Sequence, residues 1–184
     1  LLQRYAAERP EQRDVAERIA NLVRSHADCF DRTCRPGHIT GSAWVTTPQR
    51  DRFLLVHHAK LEKWLQPGGH ADGEHDVAGV ALREAREESG IDALKLATCE
   101  TRGGALPYDL DVHVIPARFD REGQLLEDAH EHHDVRFLIL GDAAIEPCVS
   151  VESHAAGWFT ADEVRSLTQE ESVLRMLRRS LSEC

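Results

Sequence analysis

Residues 69–91 read Gly69-His-Ala-Asp-Gly-Glu-His-Asp-Val-Ala-Gly-Val-Ala-Leu-Arg-Glu-Ala-Arg-Glu-Glu-Ser-Gly-Ile91. Within them, Ala78, Ala81, Leu82 and Ala85 fall at i, i+3, i+4 and i+7, which predicts a helix from about Val77 to Ser89 with a narrow apolar stripe. Small residues let such a helix lie close against a sheet. Gly90 follows at the position where a left-handed backbone costs glycine little. Beside the stripe, Glu84 and Glu88 stack one turn apart, with Glu87 next to them. Three like charges so close destabilise an isolated helix. A hard divalent cation, which prefers oxygen ligands, would oppose that repulsion. The plainer alternative is a solvated acidic face, which most charge runs are; the glycines at both ends of this one argue against it.

Outward from the helix, Leu65-Gln66-Pro67-Gly68-Gly69 has the composition of a loop. Ile39 to Thr47 and Arg52 to His57 are strand candidates separated by Pro48-Gln49-Arg50-Asp51. Further candidates are 94–100, 110–116 and 135–140, with a short one at 147–152. Thr160-Ala-Asp-Glu163 is a capping box, and Leu174, Leu177 and Leu181 mark a terminal helix. Residues 1–27 look helical, with Pro10 suited to a first helical position and Val15, Ile19, Leu22 and Val23 at helical spacing. This amphipathic segment could pack on the main domain or on a second subunit, so a homodimer is open. Helices and strands mix without strict alternation, which predicts an α/β fold with a mixed sheet between helices. The expected division is an N-terminal helical extension over 1–35 and a main domain over 36–184, with no internal repeat.

The length of 184 residues suffices for one domain with a proper core, and 41% hydrophobic with 29% charged residues is ordinary for a globular protein. No apolar run approaches the ~18 residues of a membrane span. No secretory signal is visible, and a start at Leu1 rather than Met points to missing leading residues. Five scattered cysteines fit a reducing compartment, so a cytoplasmic location is expected. His26, Cys29, Cys34 and His38 could ligate zinc, but their spacing is not that of a standard finger, and ordinary packing is the preferred reading. A net charge of −10 argues against nucleic acid as a partner. It leaves room for an anionic small molecule, provided cations bridge the two.

Gly69 to Ile91 resembles the Nudix signature: glycine, five residues, glutamate, seven residues, then Arg-Glu-apolar-x-Glu-Glu-x-Gly-apolar. Gly69, Arg83, Glu84, Ala85, Glu87, Glu88, Gly90 and Ile91 stand at matching positions. The resemblance implies a Nudix-like α/β/α sandwich and a hydrolase that cleaves a nucleoside diphosphate joined to another group. It implies Mg2+ or Mn2+ as cofactor. By the same resemblance Glu84 and Glu88 are metal ligands, Glu87 is a ligand or holds metal-bound water, the backbone carbonyl of Gly69 is a further ligand, and Arg83 orients Glu87 for catalysis. His75 departs from the pattern, because a glutamate belongs there and Glu74 comes one residue early. Either the loop is one residue short and Glu74 still reaches Arg83, or the support is lost and the chain is a catalytically impaired nucleotide sensor. Isopentenyl-diphosphate isomerases also carry Gly-His before an acidic helix, but with a cysteine where this chain has Gly68.

Outside the signature, Glu152 in Val-Ser-Val-Glu-Ser-His is the leading candidate for a general base, ahead of Glu127 and Glu131. His70 beside Gly69 is a candidate phosphate contact. His133 shares a strand face with Val135 and Phe137 and is a candidate substrate contact, with His113 behind it. A single strand histidine is more often a hydrogen-bonded packing residue. The group joined to the diphosphate is open: ADP-ribose, nucleotide sugars, dinucleoside polyphosphates and oxidised nucleotides all satisfy the motif.

Overall fold

The computed structural model describes residues 1–98, 104–148 and 153–183. Helix α1 (Leu2–Glu8) ends at Arg9, a single 3-10 turn opens at Pro10, and α2 (Arg13–Ser25) follows. Proline's fixed φ and missing N–H suit it to that opening. Ala16, Ile19 and Leu22 of α2 are buried in one core with Ile39, Val135 and Phe137. The stripe that could have met a second subunit is therefore covered by the chain's own sheet.

The remaining elements are β1 (Gly37–Thr46), β2 (Phe53–His58), β3 (Lys63–Leu65), β4 (Gly68–His70), α3 (Val77–Ser89), β5 (Lys95–Leu96), β6 (Asp109–Ile115), β7 (Arg118–Phe119), β8 (Leu125–Glu127), β9 (His130–Leu140), β10 (Ser153–Phe159), α4 (Ala161–Leu167) and α5 (Glu171–Ser182). One eight-stranded mixed sheet runs in the order β10-β2-β1-β9-β5, with β3 on β2, β4 on β1 and β6 on β9. Strands β1 and β9 pair in parallel and the other pairs are antiparallel. Strands β7 and β8 form a separate hairpin.

Every residue of β1 is buried, and its alternation sets the layers. Ile39, Gly41, Ala43 and Val45 face α3. A Cβ on Gly41 would come within 2.9 Å of the Val77 carbonyl oxygen, so glycine is what lets the helix approach. Val80, Ala81, Ala85 and Ser89 are the buried residues of α3, with Ala78 and Leu82 at the margin of the contact. The other row carries Trp44, whose indole N–H donates to Ser180 Oγ of α5 at 2.8 Å. Tyr108 shares the same hydroxyl at 2.8 Å. The result is helix, sheet and helix in three layers. Asp76 caps α3 by accepting from Gly79 N–H at 3.1 Å, and Gly90, with φ of +68°, ends it.

Two stretches differ from the sequence expectation. Gly68–His70, expected as loop, is a strand paired with β1 (Gly69 opposite Gly41). Its glycines are there for closeness, since a Cβ on Gly68 would collide with Ser42. The short strand expected at 147–152 is not found at 147–148, and 149–152 lie outside the described residues. Strand β10 begins at Ser153 instead. Its alanines and Gly157 give no β propensity to read; pairing with β2, Trp158 opposite Leu54, makes it a strand. The strand expected over 94–100 is confined to Lys95–Leu96, with 99 and 100 outside the described residues.

The capping box at Thr160 forms in both directions, with Glu163 N–H donating to Thr160 Oγ1 and Thr160 N–H donating to Glu163 Oε2. Thr160→Ala is expected to lower stability by about 1 kcal/mol, because it frees one helix N–H and one carboxylate acceptor. Urea unfolding should show a lower midpoint at an unchanged slope.

Candidate active site

Strand β4 and helix α3 meet where the signature predicts the chemistry. The carboxylate of Glu84 lies directly against Gly69, in the space a Cβ would fill. Glu88 Oε1 accepts the Gly68 N–H at 3.2 Å. Two glutamates one turn apart are thus held on two successive glycines, Glu84 in the space a Gly69 side chain would fill and Glu88 on the backbone N–H of Gly68. Glu87 stands further out, its side chain 60% exposed against 16% for Glu84.

Arg83 ties the group together. Its Nη1 donates to Glu84 Oε1 at 2.6 Å and to Glu87 Oε2 at 3.3 Å, and its Nη2 donates to the carbonyl oxygen of His70 at 3.4 Å. Three carboxylates and one guanidinium leave two negative charges among these four side chains, the complement of one divalent cation. The donors are hard oxygens on a rigid helix beside a backbone segment with no Cβ, so the residues present fit Mg2+ or Mn2+.

The loop before the helix corrects one expectation. Glu74 does not reach Arg83: its Oε1 accepts the Asp76 N–H at 2.9 Å, a local turn that leads into the Asp76 cap. His75 stacks on Phe30 with ring centroids 4.2 Å apart. The arginine finds its support inside the helix instead, on Glu84 and Glu87.

The other candidates are dispersed. Glu152 lies outside the described residues. Glu131 accepts from Arg18 at 2.9 Å, and Glu127 lies 3.6 Å from Arg118, so both are engaged away from α3. His133 is buried, with Nε2 3.1 Å from Glu131 Oε2, in a hollow of about 270 Å³ lined by Arg18, Leu22 and His26 of the N-terminal segment. The structure does not bring it near the glutamates. His70 joins the site through its backbone only. Its ring points to the other face of the sheet, with His38 at 5.0 Å and His132 at 5.1 Å between centroids. Burial there, then the neighbouring Arg32, pushes His70 below the usual imidazole range. His113 packs at the edge of the same group, 5.4 Å from His132. Cys29 and Cys34 are buried free thiols; burial, then the hydrogen bond to Asp28, pushes Cys34 up to about 11.

Sequence reasoning missed the Gly68–Glu88 contact and the gathering of histidines. The first was hidden by reading β4 as loop. The second depends on strand register, which no local spacing reveals.

A carboxylate helix docked on a glycine pair of a mixed sheet is the frame of a known class of proteins. A family model described as NUDIX domain matches residues 38–179, and the chain belongs to that family. Among its relatives is "Probable DHNTP pyrophosphohydrolase" of Lactococcus lactis subsp. cremoris, 29% identical over 98 residues. That match takes in 53% of this chain and 52% of the relative, so the chain spans about half the length of the curated relative it matches. The fold is similar to that of a C. elegans Ap4A hydrolase in a binary complex, with a TM-score of 0.53, 18% identity, and 79% of this chain and 98% of the other covered. It is equally similar to an E. coli dihydroneopterin triphosphate pyrophosphohydrolase, with a TM-score of 0.53, 16% identity and coverage of 82% and 97%. Among the described residues no helix is long and apolar enough to cross a membrane.

Proposed function

We propose that this chain is a metal-dependent pyrophosphohydrolase, acting in the cytoplasm on a small nucleotide-type molecule in which a nucleoside diphosphate is joined to another group. The observation that carries the proposal is the seating of Glu84 on Gly69 beside the Glu88–Gly68 hydrogen bond. That arrangement gathers carboxylate oxygens beside a backbone segment without a Cβ, which suits a divalent cation. Glu84, Glu87, Glu88 and the Gly69 carbonyl would hold Mg2+ or Mn2+. When bound, the ion neutralises charge on the diphosphate oxygens and makes water a better nucleophile at neutral pH.

The chain's own residues do the rest. Arg83 fixes Glu84 and Glu87 in position and tethers the helix to the His70 carbonyl. The β4 backbone fixes Glu88. Glu152 is the general base in this proposal, and the rings of His70 and His133 are not needed for it. The second reading, a sensor that binds and does not turn over, is favoured by one observation: Glu74 bonds the Asp76 N–H and not Arg83, and His75 packs on Phe30.

A panel of diphosphates with Mg2+ or Mn2+ separates the two readings. It should include ADP-ribose and nucleotide sugars, with diadenosine tetraphosphate and dihydroneopterin triphosphate added because those are the compounds in the relatives' names. Turnover of at least one, with phosphate-bearing products, is expected. Binding without product release would favour the sensor. A smaller change probes the cradle itself. Gly69→Ala should displace the Glu84 carboxylate, a flexible group, and leave the backbone in place. Turnover should fall at least ~10-fold, in keeping with the cost of misplacing a catalytic group by ~1 Å, while the melting curve stays where it was.

A further inference from the structure

Five histidines gather on the sheet face opposite α3, and none of them is used by the proposed hydrolysis. Strand register puts them there. His38 of β1 lies opposite His132 of β9, which lies opposite His113 of β6, so three imidazoles form a row across three strands. His70 of β4 pairs with Thr40, two residues from His38, and His130 precedes His132 by two. Alternation places both on the same face as the row. The ring centroids of His38 lie 4.8 Å from His132, 5.0 Å from His70 and 5.0 Å from His130.

The decisive member is His38. It is 1% exposed, and no hydrogen bond of ordinary geometry satisfies either of its ring nitrogens, although the Cys34 backbone lies close enough to act on the ring. A neutral buried imidazole has one N–H donor and one bare acceptor to satisfy, and the rings packed around this one are His70, His130 and His132. A histidine kept for packing is ordinarily bonded to a carbonyl or carboxylate. The peripheral rings behave that way: His130 Nδ1 is 2.8 Å from the Asp128 carbonyl, and His113 Nδ1 is 3.1 Å from Asp111 Oδ2. The central three instead bring one nitrogen each to within 4.8 Å of one another.

We propose that His38, His70 and His132 form a transition-metal site, with Zn2+ as the ion that fits them. Zinc–imidazole bonds of about 2.0–2.1 Å place ligand nitrogens roughly 3.3 Å apart, a closure that rotation about the side-chain bonds supplies. Three histidines leave a fourth position open. Imidazole strongly favours Zn2+ over Mg2+, whereas the all-oxygen Glu84–Glu87–Glu88 group suits Mg2+ and is filled by it when Mg2+ is in excess, so ligand chemistry and ion supply sort the two sites. Only the β4 backbone separates them: Gly69 faces Glu84, and His70, the next residue, turns to the histidines. The zinc site does not depend on the proposed hydrolysis.

The full chain, stripped with chelator and reloaded with Zn2+ in excess Mg2+, tests this by metal content after gel filtration. One equivalent of zinc is expected, and cobalt in its place should show the visible absorption of a four-coordinate nitrogen site. His132→Asn and His38→Asn should each weaken zinc binding at least about 100-fold. The paired change Glu84→Gln with Glu88→Gln should leave it intact, as should Cys34→Ser, which removes the other clustered trio, His26, Asp28 and Cys34. His132 is only half buried, so His132→Asn decides the matter if His38→Asn does not fold. Failure to retain zinc overturns the proposal. So does retention unchanged in folded His132→Asn, or loss that follows the glutamates or Cys34 instead.

Discussion

Glu88→Gln is expected to cut Mg2+-dependent diphosphate hydrolysis at least ~100-fold while moving the melting midpoint by no more than ~2 °C. The substitution is chosen for what it keeps. A glutamine oxygen can still accept the Gly68 N–H that Glu88 Oε1 accepts at 3.2 Å. The helix stays docked and only the charge disappears. Losing one anionic ligand removes the neutralisation of phosphate charge that a bound cation provides, and loss of one preorganised electrostatic contact commonly costs 10²–10³ in rate. Glu87→Gln should show a comparable rate loss by a different route. Its carboxylate is mostly exposed and meets Arg83 at 3.3 Å, so its removal should leave stability untouched. Turnover against Mg2+ concentration for both variants is the measurement. Unchanged rates at every concentration in both would remove these carboxylates from metal binding and with them the proposed reaction. A parent chain with no turnover on any diphosphate would point to the sensor reading.

The helix that carries this site was legible because its information is local. Apolar spacing from Ala78 to Ala85, Gly90 past the end and the Glu84–Glu87–Glu88 cluster all lie within one short window, and the structure places α3 over Val77–Ser89. Thr160 and Glu163 were legible for the same reason. What was not legible is set by partners far away in the chain. Gly68–His70 becomes a strand only by lying along β1, and Ser153–Phe159 only by lying along β2. The failure of Glu74 to reach Arg83 is an exception of local origin, a turn in which Glu74 bonds Asp76, whose conformation residue spacing alone does not fix. The histidines illustrate the limit most clearly. His38 and His132 are almost a hundred positions apart, and their meeting follows from the parallel pairing of β1 with β9. The buried charges beside them are equally invisible to local spacing, since nothing in the sequence around Asp109 shows that it has no exposed surface.

Those buried charges give the second large effect. Arg136→Met is expected to cost about 3–5 kcal/mol of stability, the usual result of removing one partner from a buried ion network. For a chain of this size that corresponds to a fall of roughly 10 °C in melting midpoint. Arg136 is 2% exposed, and its Nε donates to Asp134 Oδ2 at 2.7 Å and its Nη1 to Asp109 Oδ2 at 3.1 Å. Its Nη2 lies 3.2 Å from Asp111 Oδ2. Methionine fills most of the volume, so the loss measures charge and hydrogen bonds more than cavity. Asp109 would keep Arg175, at 2.7 Å, and Gln12, at 3.0 Å. Asp134 would keep only the hydroxyls of Thr40 and Ser42 among the side-chain donors that now reach it. The deficit should depend on pH in a defined direction. Burial alone would raise Asp111, but its hydrogen bond with His113 and the charge of Arg136 hold it well below the usual carboxylate range. A carboxyl depressed in the folded state stabilises above its unfolded pKa, ~3.9, and that contribution is lost as pH falls through the folded value. The gap between parent and Arg136→Met should therefore be widest near neutrality and narrow below pH ~4. A midpoint within ~3 °C of the parent at pH 7 would show that desolvation of these ions already cancels their attraction, and that the network sets the geometry of β1, β6 and β9 without stabilising it.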